Sequence, residues 1–130
     1  MEFISTTEAP AAIGPYSQAV IANDMIYTSG QIGLLPNGEL ADEGVEKQMH
    51  QVIKNLYYVL QEAGAEFTDV LKTTLYLQDM EDFAIVNEVY AHYFADHKPA
   101  RSTVAVRGLP KGVKVEMDCI AVVHTDSGFW

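Results

Sequence analysis

The segment from Val45 to Ala63 constrains the fold most, because its apolar residues recur at helical spacing over several turns. Polar and charged residues, including Glu46, Lys47, Lys54 and Glu62, occupy most of the positions between them. The pattern therefore predicts an amphipathic helix that buries one face. Gly64 follows directly, at the position where a glycine commonly ends a helix. Such a helix must pack its apolar stripe against another layer of secondary structure.

A hairpin is predicted before this helix. Residues 16–22 and 25–34 have strand patterns and flank Asn23-Asp24, two residue types that tolerate positive φ in a tight turn. Gly30 and Gly33 lie inside the second of these strands. Glycine there indicates either a bulge or a close approach of another group to the backbone. Residues 3–7 predict one more short strand at the start of the chain.

After the helix, residues 70–77 predict a strand that places Leu71, Leu75 and Leu77 on one face. A second helix is predicted from about Met80 to Ala95, opened by Asp79 and Asp82. Its expected core residues are Phe83, Val86, Tyr90, Tyr93 and Phe94.

The chain is predicted to end in two strands, within residues 99–106 and 113–117, joined by a turn rich in proline and glycine. The elements therefore predict an α+β fold with a six-stranded mixed sheet and two crossover helices. Two helices can cover only one face of such a sheet. Because the other face carries several apolar residues, we predict a homo-oligomer built on it, with sites near its seams.

Composition excludes several classes of protein. A chain of 130 residues and 14.4 kDa, 48% of it apolar, is the size of one globular domain. Its net charge of −10 opposes binding to phosphate backbones, so no nucleic-acid partner is expected. Cys119 is the only cysteine, and the N-terminus lacks the pattern of a signal peptide. A cytoplasmic location is expected, with no membrane partner.

No metal site is expected either, because none of the four histidines lies at ligand spacing with another histidine or with Cys119.

Arg101 and Glu116 are the residues most suggestive of chemistry. The two predicted final strands would place them on neighbouring strands of one sheet. An arginine can hold a carboxylate with two parallel hydrogen bonds, and a glutamate can orient or deprotonate a water. A plain cross-strand ion pair is the alternative, and these two strands taken alone favour it by about two to one.

Five segments of the chain, in order and at matching spacing, resemble the reactive intermediate deaminase (RidA, formerly YjgF) family. They are residues 11–19, 28–32, 70–74, 83–87, and 99–102 together with 115–117. The resemblance covers nearly the whole chain, which makes it far more specific than one short motif. Residues 1–124 then form a single domain, and residues 125–130 are an extension beyond the usual end of the family.

The resemblance implies a chorismate-mutase-like fold, a homotrimer around a central barrel, and clefts between subunits. It implies hydrolysis of 2-imino or 2-enamino acids, such as 2-aminoacrylate and 2-iminobutanoate, to 2-oxo acids and ammonia, with no cofactor. Arg101 would clamp the substrate carboxylate and Glu116 would position the water. The other cleft positions are Tyr16, Ser29, Gly30 and Asn87. Without the resemblance, Tyr16 would be interpreted as a packing residue, Ser29 as a locally satisfied strand hydroxyl and Asn87 as a surface or cap residue.

One position departs from the family pattern. Thr103 stands where a cysteine is frequent, two residues after the arginine, so a mechanism that needs a thiol is excluded at that position. Thr103 can still bind substrate through its backbone N–H and hydroxyl. Two rival functions stay open: a non-catalytic binder or sensor of small 2-oxo acids, and the ribonuclease activity that has been attached to the family.

Overall fold

A computed structural model describes residues 1–124 of the chain. One mixed sheet of seven strands carries two α-helices on one face. The strands are β1 (Glu2–Ile4), β2 (Ala19–Ala22), β3 (Met25–Thr28), β4 (Gln31–Ile32), β5 (Val70–Leu77), β6 (Ala100–Ala105) and β7 (Val115–Val122), and the helices are α1 (Val45–Glu62) and α2 (Phe83–Phe94).

The sheet order is β1-β2-β3-β7-β5-β6, with the short β4 also paired to β7. The predicted α+β fold with helices on one face is therefore confirmed, but the strand count is seven. The strand predicted over residues 25–34 divides into β3 and β4, because the ladder breaks at Ser29 and Gly30. Among the strands that the structure describes, only β5 and β6 pair in parallel, and α2 forms the crossover between them.

Local signals fix the hairpin and the end of α1. Asn23 and Asp24 both have positive φ, 52° and 62°, as a two-residue hairpin turn of type I′ requires. Gly64 has a φ of 86°. Its N–H donates to Gln61 and the next N–H, of Ala65, donates to Leu60, which satisfies two terminal carbonyls of the helix. Both predictions are confirmed.

One facing prediction is wrong. Leu71 is 48% exposed on the sheet, whereas Leu75 and Leu77 are fully buried beneath the helices. The pairing of β5 with β7 shifts register between Val70 and Lys72. That bulge changes the alternation of side chains, so Val70 packs in the core in place of Leu71.

The second helix begins later than predicted. A 3₁₀ turn (Met80–Asp82) precedes α2, and the Asp79 carboxylate accepts a hydrogen bond from the N–H of Glu81. The buried residues of α2 are Val86, Val89, Tyr90 and Phe94. Tyr90 also contacts the sheet, because its hydroxyl lies 2.9 Å from the hydroxyl of the buried Thr73 on β5.

The other face of the sheet is covered by no helix of residues 1–124. Its residues on β5 and β7 are half-buried, and they are Lys72, Thr74, Tyr76, Glu116, Asp118, Ile120 and Val122. We call these seven residues the open face. No helix among residues 1–124 is long and apolar enough to cross a membrane.

Two buried amides on α1 hold the backbone around β4 and β7. Asn55 donates to the carbonyls of Ile32 and Leu34, at 3.1 and 2.9 Å. Gln48 accepts from the N–H of Lys114 at 2.9 Å, just before β7. The helix thereby fixes the segment that follows Gly30 and the segment that leads to Glu116.

Replacing Gly33 with alanine is expected to destabilise the fold. A Cβ at Gly33 would lie 2.9 Å from the Cα of Gln48, so α1 would have to move off the sheet. Overpacking of this kind costs about 1–3 kcal/mol. Urea unfolding measures it, with Gly108→Ala as the matched control because a Cβ there meets nothing within 4 Å. Equal stabilities of the two variants would contradict the close packing.

Candidate functional site

Arg101 and Glu116 lie on strands that are not neighbours, so the expected adjacency is wrong. Arg101 on β6 pairs with Thr73, and Glu116 on β7 pairs with Tyr76, because β5 runs between the two strands. A parallel crossover carried by α2 inserts β6 at the sheet edge beyond β5. The structure contains no salt bridge between the two side chains, and each lines a separate cavity.

Glu116 lines a cavity of about 600 Å³ between the loop before β2 and the turn before β7. Its walls combine apolar residues with a few polar groups, the usual composition of a small-molecule site. Four of the predicted site residues meet here: Tyr16, Ser29, Gly30 and Glu116. The apolar lining is Pro10, Ala11, Ala12, Ile13, Ile32, Leu34 and Pro110, with Gln18, Gln31 and Lys111 as further polar residues.

The break between β3 and β4 gives Glu116 its space. A Cβ added at Gly30 would overlap the Glu116 carboxylate, so only glycine fits this backbone position as it stands. The close approach inferred for Gly30 is therefore confirmed. The neighbouring Ser29 is held by its N–H, which donates to Gln18 at 2.9 Å, and by its hydroxyl, which donates to the carbonyl of Ser17.

Tyr16 reaches the cavity from a loop that the buried Gln18 anchors. The Gln18 side chain donates to the carbonyls of Thr6 and Pro10, at 3.1 and 2.8 Å, and accepts from the N–H of Thr6 at 2.7 Å. The loop turns at Gly14, whose φ of 132° few other residues adopt. The Tyr16 ring remains 53% exposed at the mouth of the cavity.

Arg101 and Asn87 meet in the second cavity, of about 460 Å³, beside α2. Nη1 of Arg101 donates to Oδ1 of Asn87 at 2.7 Å. The guanidinium lies over the rings of Tyr90 and Phe83, 4.9 and 5.5 Å from their centroids, in cation–π geometry. These contacts hold the guanidinium in place, while its other N–H groups can take an oxygen ligand.

Thr103 follows Arg101 on β6 at the same parity and is half-buried opposite Leu75. It lines neither of the two cavities. The thiol of Cys119 is no substitute for a cysteine at this position, because burial raises its pKa to about 12.

The carboxylates of the open face are poorly solvated. Burial raises the pKa of Glu116 above its usual range, and the charge of Asp118 raises it further. Burial also raises the pKa of Asp118, although a hydrogen bond from Tyr76 at 3.0 Å and the charge of Lys72 act against this. Glu116 can therefore take up a proton more readily than an exposed glutamate does.

Sequence reasoning missed Gln18 and Tyr90, which line the two cavities, and Asp118, whose charge acts on Glu116. Asp118 had a usable signal, since it stands two residues after Glu116 and so shares its strand face. Tyr90 was assigned to the core alone, although its ring also supports Arg101. Gln18 carries no local signal, because its partners are carbonyls of a distant loop.

Among residues 1–124, three potential metal ligands converge within 4.8 Å of one another at Glu66, Asp69 and His124. They lie outside both cavities. Asp69 caps the turn by accepting from the N–H of Glu66 at 2.8 Å and pairs with His124 at 3.3 Å. This cluster joins the end of β7 to the start of β5.

Comparison with known proteins gives consistent similarities. The family described as Endoribonuclease L-PSP matches residues 6–123. The mouse 2-iminobutanoate/2-iminopropanoate deaminase is 52% identical over 120 residues, which are 92% of this chain and 89% of the mouse protein. The chloroplastic Reactive Intermediate Deaminase A of Arabidopsis thaliana is 49% identical over 94% of this chain, which spans 66% of that longer protein.

Solved structures agree with the fold. Yeast Mmf1 superimposes with a TM-score of 0.93 at 40% identity, over 95% of this chain and 98% of the yeast chain. Escherichia coli TdcF, solved with bound serine, superimposes with a TM-score of 0.89 at 41% identity, over 94% and 98% of the two chains.

Proposed function

We propose that this chain, which belongs to the Endoribonuclease L-PSP family and with it to the reactive intermediate deaminases, is an imine deaminase. Its substrates are 2-imino and 2-enamino acids of the 2-aminoacrylate and 2-iminobutanoate type. Its products are 2-oxo acids and ammonia. One observation carries the assignment: the chain holds a preset arginine in one cavity and a poorly solvated glutamate in another, the two groups that a small imino acid requires.

Arg101 is the proposed carboxylate clamp. Its guanidinium stays charged at any working pH and can give two parallel hydrogen bonds to a carboxylate. Asn87 and the rings of Tyr90 and Phe83 hold it in one orientation before substrate arrives, which reduces the ordering cost of binding. Thr103, on the same strand face, offers a backbone N–H and a hydroxyl to the bound acid.

Glu116 is the proposed general base and acid. It takes a proton from a water as the water oxygen bonds to the electrophilic imine carbon, and it returns that proton to the nitrogen. The substrate enters as the protonated imine, so this transfer turns the nitrogen into an –NH3+ leaving group. As the C–N bond breaks and the carbonyl forms, the new hydroxyl releases its proton to water, and the departing ammonia takes up that proton. Its raised pKa suits a group that must both accept and donate a proton. No covalent intermediate with the protein is needed, so a thiol is not required.

Ser29 and Tyr16 are the proposed partners of the leaving nitrogen. Both residues line the same cavity as Glu116. The Tyr16 hydroxyl can donate or accept a hydrogen bond, and the Ser29 hydroxyl, which donates to the carbonyl of Ser17, can still accept one from an amine. Gly30 leaves room for the Glu116 carboxylate, which a side chain at this position would displace from the substrate.

The complete site requires two copies of the chain. The cavities of Arg101 and Glu116 share no lining residue, and β5 separates the two strands. We propose a homotrimer in which open faces meet around a central barrel and each cleft combines Arg101 of one subunit with Glu116 of the next. The half-buried Ile120 and Val122 supply apolar contact area for this assembly. The cytoplasm remains the proposed location.

The deciding experiment is turnover of 2-aminoacrylate and 2-iminobutanoate, freshly generated by a dehydratase, with release of the 2-oxo acid followed continuously. We expect catalytic turnover that scales with protein concentration. Saturable binding of 2-oxo acids without turnover would favour the sensor function. Cleavage of RNA by a ribonuclease-free preparation would favour the endoribonuclease activity that the family's name describes, against which the net charge of −10 argues.

Gly30→Ala is expected to reduce kcat by about 100-fold or more while the fold is retained. The new methyl group must displace the Glu116 carboxylate, and small misplacements of a reacting group have effects of this size. Steady-state kinetics and circular dichroism measure the two parts of the prediction. Gly108→Ala serves as control, since it adds the same methyl group in open space. Wild-type kcat in Gly30→Ala would remove Glu116 from the mechanism.

A further inference from the structure

A second carboxylate stands beside Glu116 on the same face of the same strand. Glu116 and Asp118 are two residues apart on β7, and side chains at this spacing point to the same side of a sheet. Their partners on β5 are Tyr76 and Thr74, so the two carboxylates and the Tyr76 hydroxyl form one cluster on the open face.

Tyr76 fixes Asp118 within this cluster. It pairs directly with Glu116 in the ladder, but its hydroxyl donates diagonally to Oδ2 of Asp118 at 3.0 Å. The hydrogen bond occupies Asp118 with a partner and favours its ionised form. Asp118 therefore presents a held negative charge to Glu116, which itself has no hydrogen-bond partner among the side chains of residues 1–124 that the structure describes.

We propose that Asp118 and Tyr76 are positioning residues for Glu116. They keep Glu116 able both to accept and to donate a proton in the deaminase reaction. This rests on the proposed function. The hydrolysis uses Glu116 twice, first to take a proton from water and then to give one to the leaving nitrogen. A glutamate with an ordinary pKa would be a weak base in the first step. A neighbouring fixed charge strengthens this base and brings its pKa closer to the working pH, where one group can both accept a proton and return it.

The charged groups around Glu116 decide whether its pKa rises or falls when the charge of Asp118 is removed. Asp118 and burial raise its pKa, and no cation offsets these two causes within the described part of the chain. The charged and titratable groups on the elements that pack around it are Asp118, Tyr76, Tyr16, Lys111 in the cavity wall, and Lys72, which acts on Asp118. In the proposed trimer, the positive charge of Arg101 from the neighbouring subunit opposes the effect of Asp118 on the pKa of Glu116. The contribution of Arg101 stays the same when Asp118 alone is changed.

The test is Asp118→Asn, which removes the charge and keeps the size of the side chain. We expect the acid limb of the kcat/KM profile to move to lower pH, because Glu116 then loses its proton more easily, and the rate at the optimum to fall as the base weakens. Tyr76→Phe, which leaves both carboxylates in place, is expected to move the limb the same way by less. Asp118→Glu, which keeps the negative charge, is expected to leave the acid limb at its wild-type position. Asp96→Asn, near the end of α2, is the control for loss of one negative charge.

A measurement without turnover separates this inference from the proposed function. The carboxyl carbon of Glu116, assigned through Glu116→Gln, is titrated by ¹³C NMR in wild type and in Asp118→Asn. A lower midpoint in the variant supports the coupling, whether or not imines are substrates. An unchanged or higher midpoint overturns it, as does an acid limb that does not move in Tyr76→Phe while deaminase activity persists.

Discussion

Arg101→Ala is expected to reduce imine hydrolysis severely while leaving the fold intact. If Arg101 binds the substrate carboxylate, its loss leaves that charge unpaired in the cleft, a change that costs about 2–5 kcal/mol. The rate at low substrate concentration then falls by roughly 30- to 5,000-fold. Stability should change little, because Arg101 is exposed and its hydrogen bond to Asn87 lies at the surface.

Two controls make this result specific to the guanidinium. Arg107→Ala removes an exposed arginine that follows β6 and lines neither cavity, so it should leave kcat/KM unchanged. Arg101→Lys keeps the charge but loses the planar fork, so it should recover only part of the rate. Wild-type activity in Arg101→Ala, measured with a coupled dehydratase, would rule out the carboxylate clamp.

Patterns of local origin were predictable from the sequence. The hairpin turn at Asn23-Asp24 and the helix end at Gly64 depend on backbone conformations that few residue types adopt, so the residues themselves report them. Gly30 is similar, because a glycine inside a strand indicates a bulge or an approaching group, and here the group is Glu116. The apolar face of α1 could also be predicted, because its apolar residues recur with the period of a helix.

The tertiary pairing of strands was not predictable in the same way. The order of strands along the chain suggested that β6 and β7 are neighbours, but the crossover through α2 returns the chain to the far side of β5. The bulge at Val70 to Lys72 has no glycine or proline to mark it, so Leu71 was assigned to the wrong face. The first error concerns the order of strands in the sheet and the second concerns the register of two paired strands. Local periodicity specifies neither of these.

The separation of Arg101 and Glu116 has a consequence that a single variant cannot reach. If each cleft takes the arginine from one subunit and the glutamate from the next, two inactive variants can complement each other. A mixed oligomer of Arg101→Ala and Glu116→Gln contains clefts in which an intact Arg101 faces an intact Glu116. If instead one chain provides both residues, every site in the mixture lacks one group.

Joint refolding of equal amounts of the two variants is therefore expected to restore about a quarter of wild-type activity. In random closed trimers about three quarters contain both variants, and each of these has about one intact cleft in three. The matched control is Glu116→Gln refolded with Gly30→Ala, since both changes disable the glutamate side and should restore nothing. Native mass spectrometry confirms subunit exchange. Mixed trimers without activity would place the reaction within one chain, whereas recovery near a quarter requires the shared cleft.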